Sequence, residues 1–159
     1  MKVTELLRLY AAIGKKTPIK ADCGELCGAK CCRGSEEDGM LLLPGEEKLM
    51  KLVPGMSLRT SENGRSYVVC RGNCRRALRP FACRIYPLTL LKNGNEIRVT
   101  ADPRAKYHCP LLAATEYIDP DFVRALRKAG KIMMESASGR AYLDELAEEL
   151  RAYYRFTGK

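Results

Sequence analysis

The sequence predicts an α+β fold in which a small cysteine-rich body with short hairpins, residues 1–110, is followed by a C-terminal helical hairpin, residues 111–159. A length of 159 residues suits a single domain, so the helical tail is expected to pack on the body. All eight cysteines lie between positions 23 and 109, and the tail has none. Two Asn-Gly pairs, each between strand-like segments, predict the hairpins.

Two helices are predicted in the first third of the chain. An apolar periodicity predicts one over residues 3–13. Pro44 and the acidic residues after it predict a short helix through Val53, because both suit the first turn of a helix. Between the two helices, residues 14–38 have no usable period and predict a loop wrapped around ligands. The apolar face predicted for the first helix consists of Val3, Leu6, Leu7 and Tyr10.

The middle of the chain predicts two β-hairpins. In each, Asn-Gly supplies the tight turn, and the flanking residues favour strands. The second hairpin also alternates apolar and polar residues, which is typical of a half-buried sheet. The predicted pairs are residues 57–61 with 65–70 around Asn63-Gly64, and residues 88–91 with 96–100 around Asn93-Gly94.

The tail predicts two helices joined by a short break. Asp119-Pro120 combines a capping residue with a proline at the first helical position, so a helix is expected from there to about Ala137. Ser138-Gly139 is expected to break it, and a second helix then continues to about Phe156. One face of that second helix carries Leu143, Leu146, Leu150 and Tyr153.

The cysteines form two groups along the chain. The first reads CGELCGAKCC, and four thiols within ten residues are too close together to be independent core residues. The second group is spread more widely and ends in a Cys-Pro pair. The first group is Cys23, Cys27, Cys31 and Cys32, and the second is Cys70, Cys74, Cys83 and Cys109.

These cysteines predict a metal centre. The amino terminus does not read as a signal peptide and no apolar run would cross a bilayer, so we expect a cytoplasmic protein without a membrane partner. In a reducing compartment, clustered cysteines favour metal ligation over disulfides. An iron–sulfur cluster and Zn²⁺ both accept ligation by cysteine alone. Because histidine is absent from the first group, the iron–sulfur cluster is slightly favoured.

The positive charge is concentrated beside the second cysteine group. Residues 59–106 hold 11 basic and 3 acidic side chains and so carry +8 of the net charge of +9. One interpretation is that these arginines offset the negative charge of thiolate ligands. A weaker one is a phosphate-binding face for nucleic acid, because few aromatic residues accompany the arginines. Arg79 and Arg84 could equally be solvated surface charges.

The first cysteine group, the stretch MLLLPGEEKLMKL and the segment RPFACRIYP at 79–87 together resemble the cysteine-cluster (CxxCxxCC) family of zinc- or iron-chelating proteins, to which flagellin lysine N-methylases are related. The match is carried by Cys74-x8-Cys83, by Arg79-Pro80 and by the ending Cys83-Arg84-Ile85-Tyr86-Pro87. The first group here has one extra residue in each gap. The resemblance implies a metal centre in which Cys31, Cys32, Cys74 and Cys83 have the best support, followed by Cys23, Cys27 and Cys109, with Cys70 last.

The sequence therefore predicts a metal-binding protein whose cysteine-ligated centre is at least structural. Two alternatives stay open. One is a metal-dependent protein-modifying enzyme, implied by the likeness to lysine N-methylases, with a protein as substrate. The other is a zinc-stabilised module that binds nucleic acid. No catalytic residue and no separate cofactor site, such as a Gly-rich turn for a nucleotide, is identified.

Overall fold

The computed structural model describes residues 1–32, 39–70 and 75–157. Helices and short antiparallel hairpins alternate along the chain, and the mixed α+β class is confirmed. Among these residues the helices are α1 (Val3–Ile13), α2 (Cys23–Cys27), α3 (Glu47–Met50), α4 (Phe81–Ile85), α5 (Pro120–Met134) and α6 (Ala137–Thr157). The strands are β1 (Met40–Leu41), β2 (Met56–Thr60), β3 (Ser66–Cys70), β4 (Leu88–Asn93) and β5 (Glu96–Ala101).

Both predicted hairpins are confirmed. Strands β2 and β3 pair antiparallel with Leu58 opposite Val68, and β1 adds to the other edge of β3. Strands β4 and β5 form a separate two-stranded sheet with Leu90 opposite Val99. The turn glycines have φ values of 78° (Gly64) and 60° (Gly94), a conformation that residues with a Cβ rarely adopt.

Helix α1 spans the predicted residues, but its predicted face is only partly correct. Leu6, Leu9 and Ile13 are its fully buried residues, whereas Val3 and Leu7 are 39% and 55% exposed. The physical reason is the partner helix: α1 packs against α5 along a narrow stripe, and Val3 and Leu7 lie outside that stripe.

Two other predictions in this half of the chain are wrong in detail. The expected loop over residues 14–38 contains α2 and a 3₁₀ turn at Lys30–Cys32; its residues 33–38 lie outside the described part. Asp22 caps α2 by accepting a hydrogen bond from the Gly24 amide. The helix expected from Pro44 to Val53 shrinks to α3, because Gly45 has a φ of 89° and keeps the chain out of a helical path until Glu47.

The predicted helical hairpin is confirmed, with one correction. Asp119 caps α5 by accepting from the Asp121 amide, as its sequence suggests. The break comes at residues 135–136, before Ser138-Gly139, and Gly139 lies inside α6. A Cβ at Gly139 would lie 2.2 Å from the Met133 carbonyl oxygen, so this glycine permits a close approach of the two helices and does not end one.

One apolar core joins the tail to the body. It brings together α1, α4, β4, α5 and α6, and a smaller cluster fills the space between α3 and the three-stranded sheet. Across the described residues, every helix is too short or too polar to span a bilayer. The largest fully buried side chains of the main core include Phe122, Leu6, Leu9, Leu90, Leu126, Met133 and Leu143.

A buried carboxylate connects three segments beside this core. Glu46 is 0% exposed and accepts hydrogen bonds from the Tyr10 hydroxyl, from the Leu43 amide at 2.9 Å and from the Phe81 amide at 2.6 Å. It therefore ties α1 and the start of α3 to the first residue of α4. Burial raises the pKa of Glu46 above its ordinary value, although the three donors oppose that shift.

Replacing Glu46 by Gln is expected to lower the free energy of unfolding by about 1–3 kcal/mol, because an amide leaves one of the two backbone N–H groups unpaired in a buried site. Equilibrium denaturation measures this loss. Glu47→Gln is the matched control, since the Glu47 side chain makes no hydrogen bond within the described residues, and its effect should stay within about 0.5 kcal/mol. Equal losses for the two variants would contradict the assigned role of Glu46.

The stability difference between the wild type and Glu46→Gln should depend on pH. Because the pKa of Glu46 is raised on folding, its contribution to stability is complete below the unfolded value of about 4.3 and is lost as the pH rises through the folded value. The difference in unfolding free energy between the wild type and Glu46→Gln is therefore expected to be largest in acid and to shrink as the pH rises. A difference that grows with pH would refute this assignment.

Candidate metal centre

Seven cysteines line two adjoining cavities. The larger cavity, of about 290 Å³, is lined by Cys23, Cys27, Cys31, Cys83 and Cys109. All five thiols are therefore brought from three distant segments to one space.

The smaller cavity, of about 150 Å³, is lined by Cys31, Cys32, Cys70 and Cys83. Cys31 and Cys83 thus lie on the walls of both cavities, and every cysteine in the described residues borders at least one. Cys74, a predicted ligand, lies outside the described residues. All seven described cysteines are free thiols, and none is fully buried.

Short elements position the first cysteine group. Cys23 and Cys27 stand four residues apart in α2, so both lie on one face of that helix, and the Cys27 Sγ donates to the Cys23 carbonyl oxygen at 3.4 Å. Gly28 ends the helix in a left-handed conformation, with φ of 59°. The chain can therefore turn back at once, which places Cys31 and Cys32 in the following 3₁₀ turn.

Core packing of α4 positions Cys83, and other short elements position the rest of the second group. Pro80 is the capping residue of α4, and Phe81 and Ile85 bury one face of that helix in the main core. Cys83, between them in sequence, lines the cavities from the other face. Cys70 ends strand β3, and Cys109 precedes a 3₁₀ turn whose first residue is Pro110.

The thiols do not share one electrostatic environment. The Sγ atoms of Cys31 and Cys32 lie 3.9 Å apart. A hydrogen bond from Cys31, aided by the positive charge of Arg79, lowers the pKa of Cys32 to about 6, and the same bond raises the pKa of Cys31. Burial raises the pKa of Cys23 and of Cys109.

Arginine side chains turn toward the thiols. Arg76 and Arg79 line the larger cavity, and the Arg76 Nη2 donates to the Lys16 carbonyl oxygen. The Arg76 Nε is buried and has no hydrogen-bond partner within the described part of the chain. Burial, and then the neighbouring charge of Arg79, lowers the pKa of Arg76. A half-buried guanidinium whose buried Nε has an unused donor fits an anion in this cavity.

Arg84 is not a solvated surface charge. Its guanidinium carbon lies 4.0 Å from the centre of the Tyr10 ring, its Nε donates to the Arg79 carbonyl oxygen at 2.8 Å, and its Nη2 donates to the Ala77 carbonyl oxygen. These bonds hold the 3₁₀ turn at Arg76–Leu78 against α4. Arg71, at the start of the same basic segment, lies outside the described residues.

A third cavity, of about 280 Å³, adjoins the centre and was not foreseen from the sequence. Its walls are mostly apolar, and its polar groups include Tyr86, Asp102, Arg104, His108 and Tyr142. Tyr86 and His108 also line the larger cysteine cavity. Asp102 is buried and accepts three hydrogen bonds from Arg104, one from its amide and two from its guanidinium. Apart from Tyr86, no motif marks these residues, because they meet through tertiary packing.

The described cysteines of this region line the cavities without forming a closed ligand set. In residues 1–32, 39–70 and 75–157, no three Cys, His, Asp or Glu side chains are already gathered as closely as a bound metal ion requires. The cysteines surround the cavities instead.

No protein-family model matches the sequence, and no curated protein or solved structure matches the chain.

Proposed function

We propose that this protein binds a metal through its cysteines, as an iron–sulfur cluster or as Zn²⁺, and that the centre is at least structural. The observation that carries the proposal is the convergence of seven cysteines from α2, the following 3₁₀ turn, β3, α4 and the Cys109-Pro110 turn on two adjoining cavities. Independent core thiols would be scattered through the apolar core, yet the main core contains none of them.

The residues around the cavities suit an anionic metal centre. A centre with four thiolates around Zn²⁺ has a formal charge of about −2, and iron–sulfur clusters with cysteine ligands are also anionic. The buried, unpartnered Nε of Arg76 can donate to a thiolate, and Arg79 adds positive charge on the same wall. When bound, the metal would hold together segments that have little apolar packing of their own. Neither α2 nor the 3₁₀ turn at Lys30–Cys32 has a buried residue.

The resemblance to the cysteine-cluster family supports the same proposal. Its most specific part, the segment 79–87, coincides with α4 and its flanks, which place Cys83 in both cavities. The ligand positions that the resemblance favours include Cys31, Cys32 and Cys83, all of which border the smaller cavity. The proposed location is the cytoplasm, where thiols stay reduced.

Metal analysis with an absorbance spectrum, made on anaerobically purified protein, tests this function. We expect bound iron with charge-transfer bands or colourless bound zinc. Cys31→Ser or Cys83→Ser should lower the metal content, since an alcohol is a far poorer ligand than a thiolate for a soft site. Protein that is folded and free of metal would refute the proposal. If Cys31, Cys32, Cys74 and Cys83 can each be replaced with full metal retained, the ligand assignment is wrong.

Removing the metal with a chelator should loosen the cysteine region while the main core persists. We expect residues 20–32 to lose hydrogen-exchange protection, because their helix and turn bury no side chain, whereas α5 and α6 keep theirs through the apolar core. Hydrogen exchange with mass spectrometry, before and after chelation, measures both regions. Unchanged protection in residues 20–32 would show that the metal does not order this segment.

Replacing Arg76 by Gln should weaken metal retention, because the positive charge and the buried Nε are lost beside the thiolates. The adjacent Arg75→Gln is the matched control, since Arg75 is exposed and does not line the cavity. Competition with a chromophoric chelator measures the affinities of both variants. Equal retention by the two variants would contradict a neutralising role for Arg76.

The Arg75→Gln and Arg76→Gln variants also test nucleic-acid binding, the less favoured interpretation of the basic segment. If the arginines form a phosphate-binding face, both variants should keep their metal and lose binding to RNA or DNA. That binding would fall with salt at a log–log slope of roughly −0.9 for each duplex phosphate contacted. The position of Arg76 and Arg79 on the wall of the larger cavity favours neutralisation of the centre instead.

A second candidate function is a metal-dependent protein-modifying enzyme. The third cavity favours it, because a space of about 280 Å³ with apolar walls and a few polar groups is typical of a ligand site, and it borders the centre through Tyr86 and His108. A lysine side chain, with an apolar stem and a polar head, fits such walls. Saturable thermal stabilisation by a lysine-containing peptide, weakened by Tyr142→Phe with the metal content unchanged, would support it. Equal stabilisation of both proteins would exclude this cavity as the site.

A further inference from the structure

We infer that the centre contains two separate metal positions, one in each cysteine-lined cavity; this inference rests on the proposed function. The cysteines divide cleanly between the cavities. Cys23, Cys27 and Cys109 line only the larger one, whereas Cys32 and Cys70 line only the smaller one. No single position would be bordered by both sets.

The chemistry of thiolate ligation favours two positions over one. Zn–S bonds are about 2.3 Å long, so the sulfurs of one site lie within about 4 Å of one another, and four of them close a tetrahedral site. Seven sulfurs distributed over two cavities are too many for one such site. The chain's eight cysteines are twice the number that one site needs.

The wall between the cavities explains the paired cysteines of the sequence. Cys31 borders both cavities, and its neighbour Cys32 borders the smaller one alone. Cys83, presented by α4, also borders both. Each of these two shared thiols can complete either position or bridge the two.

The two positions have different surroundings. Arg79 lines both cavities, but the smaller one is otherwise lined by apolar residues such as Met56 and Val68, whereas the larger one also contacts Arg76 and His108. At about 150 Å³ the smaller cavity suits a single thiophilic divalent ion. The larger cavity, of about 290 Å³, has room for an ion or a cluster, and Arg76 adds a second guanidinium to its wall beside Arg79.

Titration of the reduced full-length chain with Co²⁺ under anaerobic conditions tests the inference, because thiolate-bound Co²⁺ absorbs in the near ultraviolet and visible. We expect two equivalents to bind. Cys109→Ser should leave one equivalent, in the smaller cavity, and Cys70→Ser should also leave one, in the larger. The double variant should lose both, and Cys31→Ser should disturb the spectra of both positions.

The outcomes separate the inference from the function on which it rests. One equivalent in the wild type would overturn the two positions while leaving metal binding intact, and so would two equivalents retained by Cys70→Ser or by Cys109→Ser. If either single variant loses all Co²⁺ while circular dichroism shows a folded chain, the positions are not separate. Absence of any thiolate–Co²⁺ absorption in the folded wild type would instead refute the proposed function. The wild-type stoichiometry decides the matter even if a variant fails to fold.

Discussion

The cysteine side of this protein depends on the way in which α4 is anchored. Five residues form the helix, and Phe81 and Ile85 bury one of its faces in the main core. The Phe81 amide donates to the buried carboxylate of Glu46, which also accepts from Tyr10, and Arg84 stacks on the same tyrosine. Because α4 is held at both ends, Cys83 has a defined place on the wall of both cavities. The thiols of α2 and of the 3₁₀ turn at Lys30–Cys32 approach it from elements that bury no residue.

Charge is balanced differently on the two sides of α4. On the core side, Glu46 is surrounded by three donors and a nearby guanidinium. On the cavity side, Arg76 and Arg79 are turned toward thiols; among the described residues no carboxylate lines that cavity, although the charge of Asp22 acts on Arg76. Two guanidinium groups on one wall repel each other, so this wall makes physical sense when an anionic group occupies the cavity. The concentration of positive charge over residues 59–106, visible in the sequence, thereby acquires a local explanation.

Local signals in the sequence were sufficient to predict most elements. Asn63-Gly64, Asn93-Gly94 and Asp119-Pro120 have effects that act within a few residues, and each lies where its chemistry requires. Features that depend on a distant partner were missed. The exposed side of α1 at Leu7 is decided by α5, and the role of Gly139 by the Met133 carbonyl. The Asp102–Arg104 pair faces a cavity closed by α6, so nothing near it in the sequence marks it. The cysteine spacing indicated common ligation, but not the division of the thiols between two cavities.

The contact between α1 and α5 has a consequence for synthesis of the chain. These helices are separated by more than a hundred residues, and an ion pair between Arg8 and Glu135 spans 127 positions. On the ribosome, α1 therefore lacks its main helical partner until α5 has emerged, and by then Cys109 has already emerged. Every thiol of the centre is accessible to metal donors, or to oxidants, before the core that supports α4 can close.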